Sequence, residues 1–210
     1  YLNGEVVDSM GGGICQVSTT LYNAVLRAEL EVVERSPHSM TVHYVELSED
    51  AAIAGTYKDF KFKNSTEYPI YIEGYTTSDK KITFNIYGKE TRDSNRSISF
   101  ESVLVNEVKP NTILRDDAGQ GLGYKNVSAG KTGYVAELYK IVKVNGVQTD
   151  RIKINKSTYK GSDRVVTYGT AGDPTLSENL RAAIAAQDEA LADANVAAAN
   201  AAAAAAAPAQ

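Results

Sequence analysis

Gly11-Gly12-Gly13-Ile14-Cys15-Gln16-Val17-Ser18-Thr19-Thr20-Leu21-Tyr22-Asn23 decides how the first half of this 210-residue chain is read. Three consecutive glycines disfavour a helix, permit positive φ angles and allow close backbone approach. Beyond them Val17, Leu21, Ala24, Val25 and Ala28 recur at i, i+4, i+7, i+8 and i+11. That spacing predicts an amphipathic helix from about Cys15 to Leu30. Ser18, Thr19 and Thr20 occupy its early turns, where short hydroxyl side chains serve free backbone amides. Before the glycines, Tyr1 to about Met10 reads as a short strand or loop.

From Glu31 onward the pattern turns to alternation. Glu31–Arg35 and Thr41–Leu47 read as strands on either side of Ser36-Pro37-His38-Ser39. Asp59–Lys63, Pro69–Tyr75 and Lys80–Gly88 each put apolar residues on one face, the signature of antiparallel strands with one wet side. Thr76–Lys80 joins the last two as a hairpin. A polar run at Lys89–Arg96 marks a boundary. Past it the sequence is glycine-punctuated and β-type, with Ser97–Val105 alternating and Asn145-Gly146 signalling a two-residue hairpin between Val135–Val144 and Val147–Ile154. The expected fold is therefore α+β. One helix packs on an antiparallel sheet in residues 1–92, a mostly β module follows at 97–170, and an alanine-rich tail occupies 171–210. From Leu176 to about Ala207 the tail has high helix propensity but almost no large apolar residue. It reads either as a helix or as a segment with too little to bury to stay ordered, and Ala201–Ala207 before Pro208 reads as a low-complexity spacer.

Charge and composition exclude several classes of function. The tail carries 19 alanines, no aromatic residue and a net charge of −4, equal to that of the whole chain, so residues 1–170 are neutral. A nucleic-acid binder needs a basic excess, and none exists. No run of about 18 apolar residues reads as a membrane span, and no charged-then-apolar leader opens the chain. The single cysteine rules out an intramolecular disulfide framework. One Cys and two His at no standard zinc spacing give no metal site, and no cofactor motif stands out.

Chemistry concentrates at that cysteine. Gly12 and Gly13 deliver Cys15 to the first turn of the helix, where the dipole and the unpaired amides favour a thiolate. The glycines would let a substrate backbone lie close to the sulfur, and the Cys15 and Gln16 amides could face a developing oxyanion. His38 and His43 are the only bases of their type, and Asp50 and Asp59 follow as acids able to orient one of them. Cysteine on a helix start, then histidine, then aspartate is the order of the papain-like and transglutaminase-like core. The plain alternative is that a lone helical cysteine serves as a small buried hydrophobe. Tyr71 and Tyr75 share a face of the expected hairpin, where flat rings with hydroxyls suit sugars or peptides.

The stretch Gly11–Asn23 closely resembles the signature of the VanW family, as does Glu34-Arg35-Ser36-Pro37-His38-Ser39. Tyr57-Lys58-Asp59-Phe60-Lys61-Phe62-Lys63-Asn64, leading into Tyr68-Pro69-Ile70-Tyr71-Ile72, is similar to it too, and the resemblance covers about residues 1–90. Carried over residue by residue, the family pattern matches Cys15, Gln16, Ser18, Arg35, His38, Asp50 and Asp59, with Ser18 and Arg35 joining the substrate-binding candidates. His43 falls outside it, which makes His38 the partner expected for Cys15. Residues 97–170 resemble a G5 domain through Gly119, Gly121, Gly123, Gly130, Gly133, Gly146 and Tyr168-Gly169-Thr170. Together the resemblances imply an extracytoplasmic cell-envelope protein of Gram-positive type, tied to glycopeptide resistance, with a further region upstream. Peptidoglycan or another N-acetylglucosamine-containing wall polymer is the expected partner. The enzyme reading is a cysteine-dependent acyl transferase or amidohydrolase, and the alternative is a non-catalytic wall-binding module.

Overall fold

The computed structural model describes residues 12–206. The strand or loop expected over Tyr1–Met10 lies outside them. The described elements begin with helix α1 (Ile14–Arg27), then strands β1 (Glu31–Glu34), β2 (Lys61–Lys63), β3 (Tyr71–Thr76), β4 (Ile82–Tyr87) and β5 (Arg96–Val108). They continue with β6 (Thr112–Gly121), β7 (Lys125–Ser128), β8 (Gly133–Val144), β9 (Val147–Tyr159), β10 (Arg164–Ala171), α2 (Pro174–Ala185) and α3 (Glu189–Ala206).

Two compact units divide these elements, and each is discontinuous in sequence. The first runs to Glu107 and takes in Tyr134–Lys160; the second joins Val108–Gly133 to Gly161 and the residues after it. In the first unit α1 starts from Gly13, which caps it in a left-handed conformation at φ 98°. The helix ends earlier than Leu30. The Leu30 N–H donates to the Val25 carbonyl and the Glu29 N–H to that of Leu26, with Glu29 left-handed at φ 57°. This is a Schellman closure without its usual glycine. The Glu29 carboxylate is gripped by Arg96 and Lys140 at 2.8 Å and by Arg92 at 3.0 Å. Those bonds, Arg96's foremost, hold it well below the usual carboxylate range against the opposing effect of partial burial.

The buried side of α1, Tyr22 and Leu26, packs with Ala51 and Leu138, flanked by Val32, Phe60, Phe100 and Ile154. Three small sheets contribute. β1 pairs antiparallel with β2, β3 pairs antiparallel with β4, and β5, β8 and β9 form a third sheet in that order. Asn145 and Gly146, at φ 52° and 79°, close the β8–β9 hairpin as their sequence demands. The strand expected at Thr41–Leu47 does not form. The Leu47 carbonyl accepts from the distant Ser102 hydroxyl, that of Glu46 accepts from the Glu49 N–H in a local turn, and Ser48 turns left-handed at φ 68°.

The second unit gives the expected β module its strand order and the tail its structure. Its sheet has the order β6-β10-β7, with β10 parallel to β6 and antiparallel to β7. The glycine at 169 is required by close approach: a Cβ there would stand 2.2 Å from the Gly121 carbonyl oxygen on β6's end. The alanine-rich stretch is two helices, the helical one of the two readings its composition left open, and Ala201–Ala206, expected as a spacer, belongs to the second. Asp173 caps α2 by accepting the Leu176 N–H at 3.0 Å, with Pro174 in the first turn. Leu180, Ala183, Ile184, Ala192 and Val196 are buried against Leu114, Val166 and Tyr168. Alanine packs here because its small side chain lets α2 and α3 approach each other and the sheet, so burial needs few large residues.

A buried histidine–aspartate pair beside the helix start

Residues 50–53 form a rail between the start of α1 and the segment around His38. On the helix side the Ser18 and Thr19 hydroxyls donate to the Ala51 carbonyl at 2.6 and 3.2 Å, and the Ala51 N–H donates back to Thr19 at 3.0 Å. The Cys15 thiol lies 3.5 Å from the Ile53 carbonyl oxygen and is partly buried. On the other side the Ala52 N–H donates to the Ser36 carbonyl at 2.8 Å. Asp50 begins this rail, so the acid and the sulfur's nearest carbonyl are three residues apart, at most about 10 Å of chain.

The Asp50 side chain is fully enclosed, and each carboxylate oxygen accepts two bonds. Oδ1 takes Arg35 Nη2 at 2.7 Å and the Tyr159 hydroxyl at 2.6 Å. Oδ2 takes the His38 backbone N–H and its ring Nδ1, both at 2.7 Å. Burial alone would push this carboxyl up, but the His38 bond, the Arg35 charge and the remaining donors outweigh it and hold it below the ordinary range. An ionised Asp50 can only accept, so Nδ1 of His38 donates to it, and in the neutral imidazole that fixes Nε2 as the acceptor. The Tyr44 hydroxyl stands 3.4 Å from that Nε2. An imidazole steered through Nδ1 by a buried carboxylate is oriented for proton transfer at Nε2.

Of the expected site residues, the structure thus brings His38 and Asp50 into contact and places Cys15 on the same rail. Asp59 is not the orienting acid: its half-exposed carboxylate accepts the Phe60 N–H at 2.8 Å and lies 3.5 Å from Lys61 Nζ. Arg35 is not free to bind substrate. Its side chain is only 5% exposed, and it donates to the Asp50 carbonyl at 2.6 Å, to Ser157 at 2.8 Å and to Ser48 at 3.2 Å. Ser18, buried and spent on Ala51, is likewise structural. The Gln16 amide is turned to the Gly13 carbonyl at 2.9 Å, which removes it as an oxyanion donor, although its side chain is exposed. Gly12 and Gly13 are exposed before the helix, and His43 is exposed and apart from Asp50's bonds.

Tyr159, Ser157, Ser48 and Tyr44 escape sequence reasoning. No motif marks them, and Tyr159 is separated from Asp50 by 109 positions. A cleft of about 520 Å³ runs along α1 from Thr19 to Arg27, walled by His43, Tyr44, Glu46 and Glu49 and lined by none of Cys15, His38 and Asp50. Burial, countered by Arg27, pushes the Glu49 carboxyl up. A larger groove of about 780 Å³, at the other end of α1 against Phe84 and Ile86, holds none of the candidate residues.

Tyr71 and Tyr75 do share a face. Opposite them on β4 stand Tyr87 and Thr83, with Glu73 facing Asn85 between. The Tyr71 and Tyr87 rings lie 6.1 Å apart, both more than half exposed, and Glu73 accepts from Asn85 at 3.0 Å and from Tyr87 at 3.2 Å. Among the described residues, no group of three or more His, Cys, Asp or Glu side chains is placed to hold a metal ion. No helix among them is long and apolar enough to cross a membrane.

Comparison with known proteins places a VanW-like domain at residues 1–87, matching the family described as VanW like protein, followed by a G5 domain at 101–171. The uncharacterized protein YoaR of Bacillus subtilis is 46% identical over 71 residues, 34% of this chain and 23% of that protein. The vancomycin B-type resistance protein VanW of Enterococcus faecalis is 30% identical over 92 residues, 40% of this chain and 32% of that protein. The match therefore spans 23% and 32% of the length of these two relatives. Among solved structures, the G5 domain of an IgA1 protease aligns at 22% identity over 37% of this chain and 94% of its own, with a TM-score of 0.29. The HP0197 G5 domain aligns at 22% identity over 36% of this chain and all of its own, with a TM-score of 0.23.

Proposed function

We propose that this chain is the cysteine-bearing part of a cell-envelope enzyme of the VanW type, an acyl transferase or amidohydrolase acting on peptidoglycan-related amides. The observation that carries the reading is His38, held by Asp50 through Nδ1 at 2.7 Å, with Cys15 in the first turn of α1 and its thiol at the Ile53 carbonyl three residues on from Asp50. In the reaction, Cys15 Sγ attacks the substrate carbonyl carbon while His38 Nε2 takes the thiol proton. The C–N bond then breaks, and His38 returns that proton to the leaving amine. Water or an acceptor amine next attacks the thioester, giving up a proton to His38, which restores the thiol as the C–S bond breaks. Asp50 stays ionised throughout and steadies the imidazolium.

Iodoacetamide labelling tests the pairing. Cys15 should react below about pH 8 faster than a simple thiol, and His38→Ala should abolish the difference. Labelling indistinguishable from that of a free thiol, and indifferent to His38, refutes the enzyme reading. Incubation with muropeptides should release amine-bearing fragments with the natural chain and none with Cys15→Ser.

The tyrosine face favours a second reading, a non-catalytic wall-binding module. Tyr71, Tyr75 and Tyr87 offer ring faces while Glu73 and Asn85 supply an acceptor and a donor, the combination that grips a pyranose. Co-sedimentation with purified sacculi that survives Cys15→Ala but drops in Tyr71→Ala/Tyr87→Ala supports it, and absence of sedimentation removes it.

A further inference from the structure

We infer that Tyr159 is a positioning residue for the His38–Asp50 pair, supplied from the part of the sequence assigned to the G5 domain. The inference rests on the enzyme reading only for its catalytic consequence. β9 pairs with β8 within the first unit, its Tyr159 opposite Tyr134, and its end is tied to the His38 segment by the Lys160 N–H donating to the Ser39 carbonyl at 2.7 Å. Tyr159 itself is 3% exposed. Its hydroxyl donates to Asp50 Oδ1 at 2.6 Å and accepts the Ser48 N–H at 2.7 Å, so its rotation is fixed from both sides.

Two strand positions back, on the same face, Ser157 accepts from Arg35 Nη1 at 2.8 Å, and Arg35 in turn donates to the same Oδ1. One face of β9 thus supports the carboxylate directly and through the guanidinium. Without Tyr159 the oxygen facing away from His38 would rest on Arg35 alone. Hydrogen bonds to a charged group are about twice as strong as neutral ones, so this loss reaches the carboxylate's ionisation as well as the fold. The titratable and charged groups facing the pair are Arg35, Tyr159, Tyr44 and Tyr22, over whose ring the Arg35 guanidinium lies, with Lys58 nearby on the Pro37 carbonyl. A VanW-like segment cut at the boundary of its own sequence match would lack both the Tyr159 donor and the Ser157 acceptor.

The test is Tyr159→Phe in the full chain, with Tyr168→Phe as a matched control, since Tyr168 donates to Asp193 at 2.8 Å within the second unit. Carbon-detected NMR follows the Asp50 carboxyl during an acid titration, and iodoacetamide labelling of Cys15 is measured over the same range. In Tyr159→Phe the Asp50 titration and the acid limb of the labelling profile should both move to higher pH. In Tyr168→Phe both should stay in place even where stability falls equally. An Asp50 titration unmoved in a folded Tyr159→Phe overturns the inference. If that variant fails to fold, the natural chain labelled at tyrosine Cζ decides: the Tyr159 signal must shift at the pH where Asp50 titrates, and a signal that does not respond overturns it. The Asp50 titration needs no reactive thiol, so failure of the enzyme reading and failure of this inference give different results.

Discussion

Arg35 and Asp50 form an ion pair at 2.7 Å in which the two side chains are 5% and 1% exposed. The carboxylate also accepts from His38 twice and from Tyr159 once, and the Asp50 carbonyl accepts from Arg35 Nε. Such a pair contributes little net stability over an apolar replacement, but breaking it strands a buried charge. Its value here lies in fixing the imidazole.

Asp50→Asn leaves Arg35 without its counter-charge and should destabilise the first unit by about 3–5 kcal/mol. Urea unfolding followed by fluorescence of the tyrosines, which are concentrated in this unit, measures it. A loss within experimental error of zero would show that the carboxylate is not the anchor described.

Acid should unfold the natural chain by protonating this same group. The folded-state carboxyl of Asp50 is held below its unfolded value, and that of Glu29 is displaced in the same direction. Their stabilisation is therefore complete above the unfolded-state carboxylate range, about pH 4, and is lost as pH falls through the lower folded values. In Asp50→Asn the acid dependence should flatten, leaving Glu29's share. Unfolding free energy against pH for the two chains should show it.

Leu180→Ala probes whether the alanine-rich helices are an integral layer. Leu180 is fully buried against the β6-β10-β7 sheet residues Leu114, Val166 and Tyr168. The truncation should cost about 2–5 kcal/mol and speed hydrogen exchange along β10. Unchanged exchange at Val166 and Tyr168 would mean the helices do not support the sheet.

Gly169→Ala should be more harmful than its size suggests. The added methyl would meet the Gly121 carbonyl at 2.2 Å and Gln120 backbone at 2.8 Å, and neither can rotate away. Overpacking typically costs about 1–3 kcal/mol, and here the parallel β6–β10 register would have to open. Gly146→Ala, with nothing within 4 Å of the added carbon, separates this clash from the strain of a left-handed residue.

Periodicity and turn chemistry made α1, the β3–β4 hairpin and the Asn145-Gly146 turn legible, because each is settled by neighbours within a few positions. The helices of the tail were signalled too, by Asp173-Pro174 and by Asp188, which accepts the Leu191 N–H at 2.9 Å. Composition concealed them, since alanine looks like filler until a sheet lies against it. At the candidate site the local pattern determined that a cysteine would sit at a helix start and that His38 and Asp50 were available. Which acid turns to His38, that Arg35 is locked inside, and that Tyr159 closes the ring around Asp50 were decided by the tertiary structure alone. Those choices depend on which buried charge finds enough partners, and two of these, the Tyr159 donor to Asp50 and the Ser157 acceptor of Arg35, come from a strand more than a hundred residues away, where no local preference reaches.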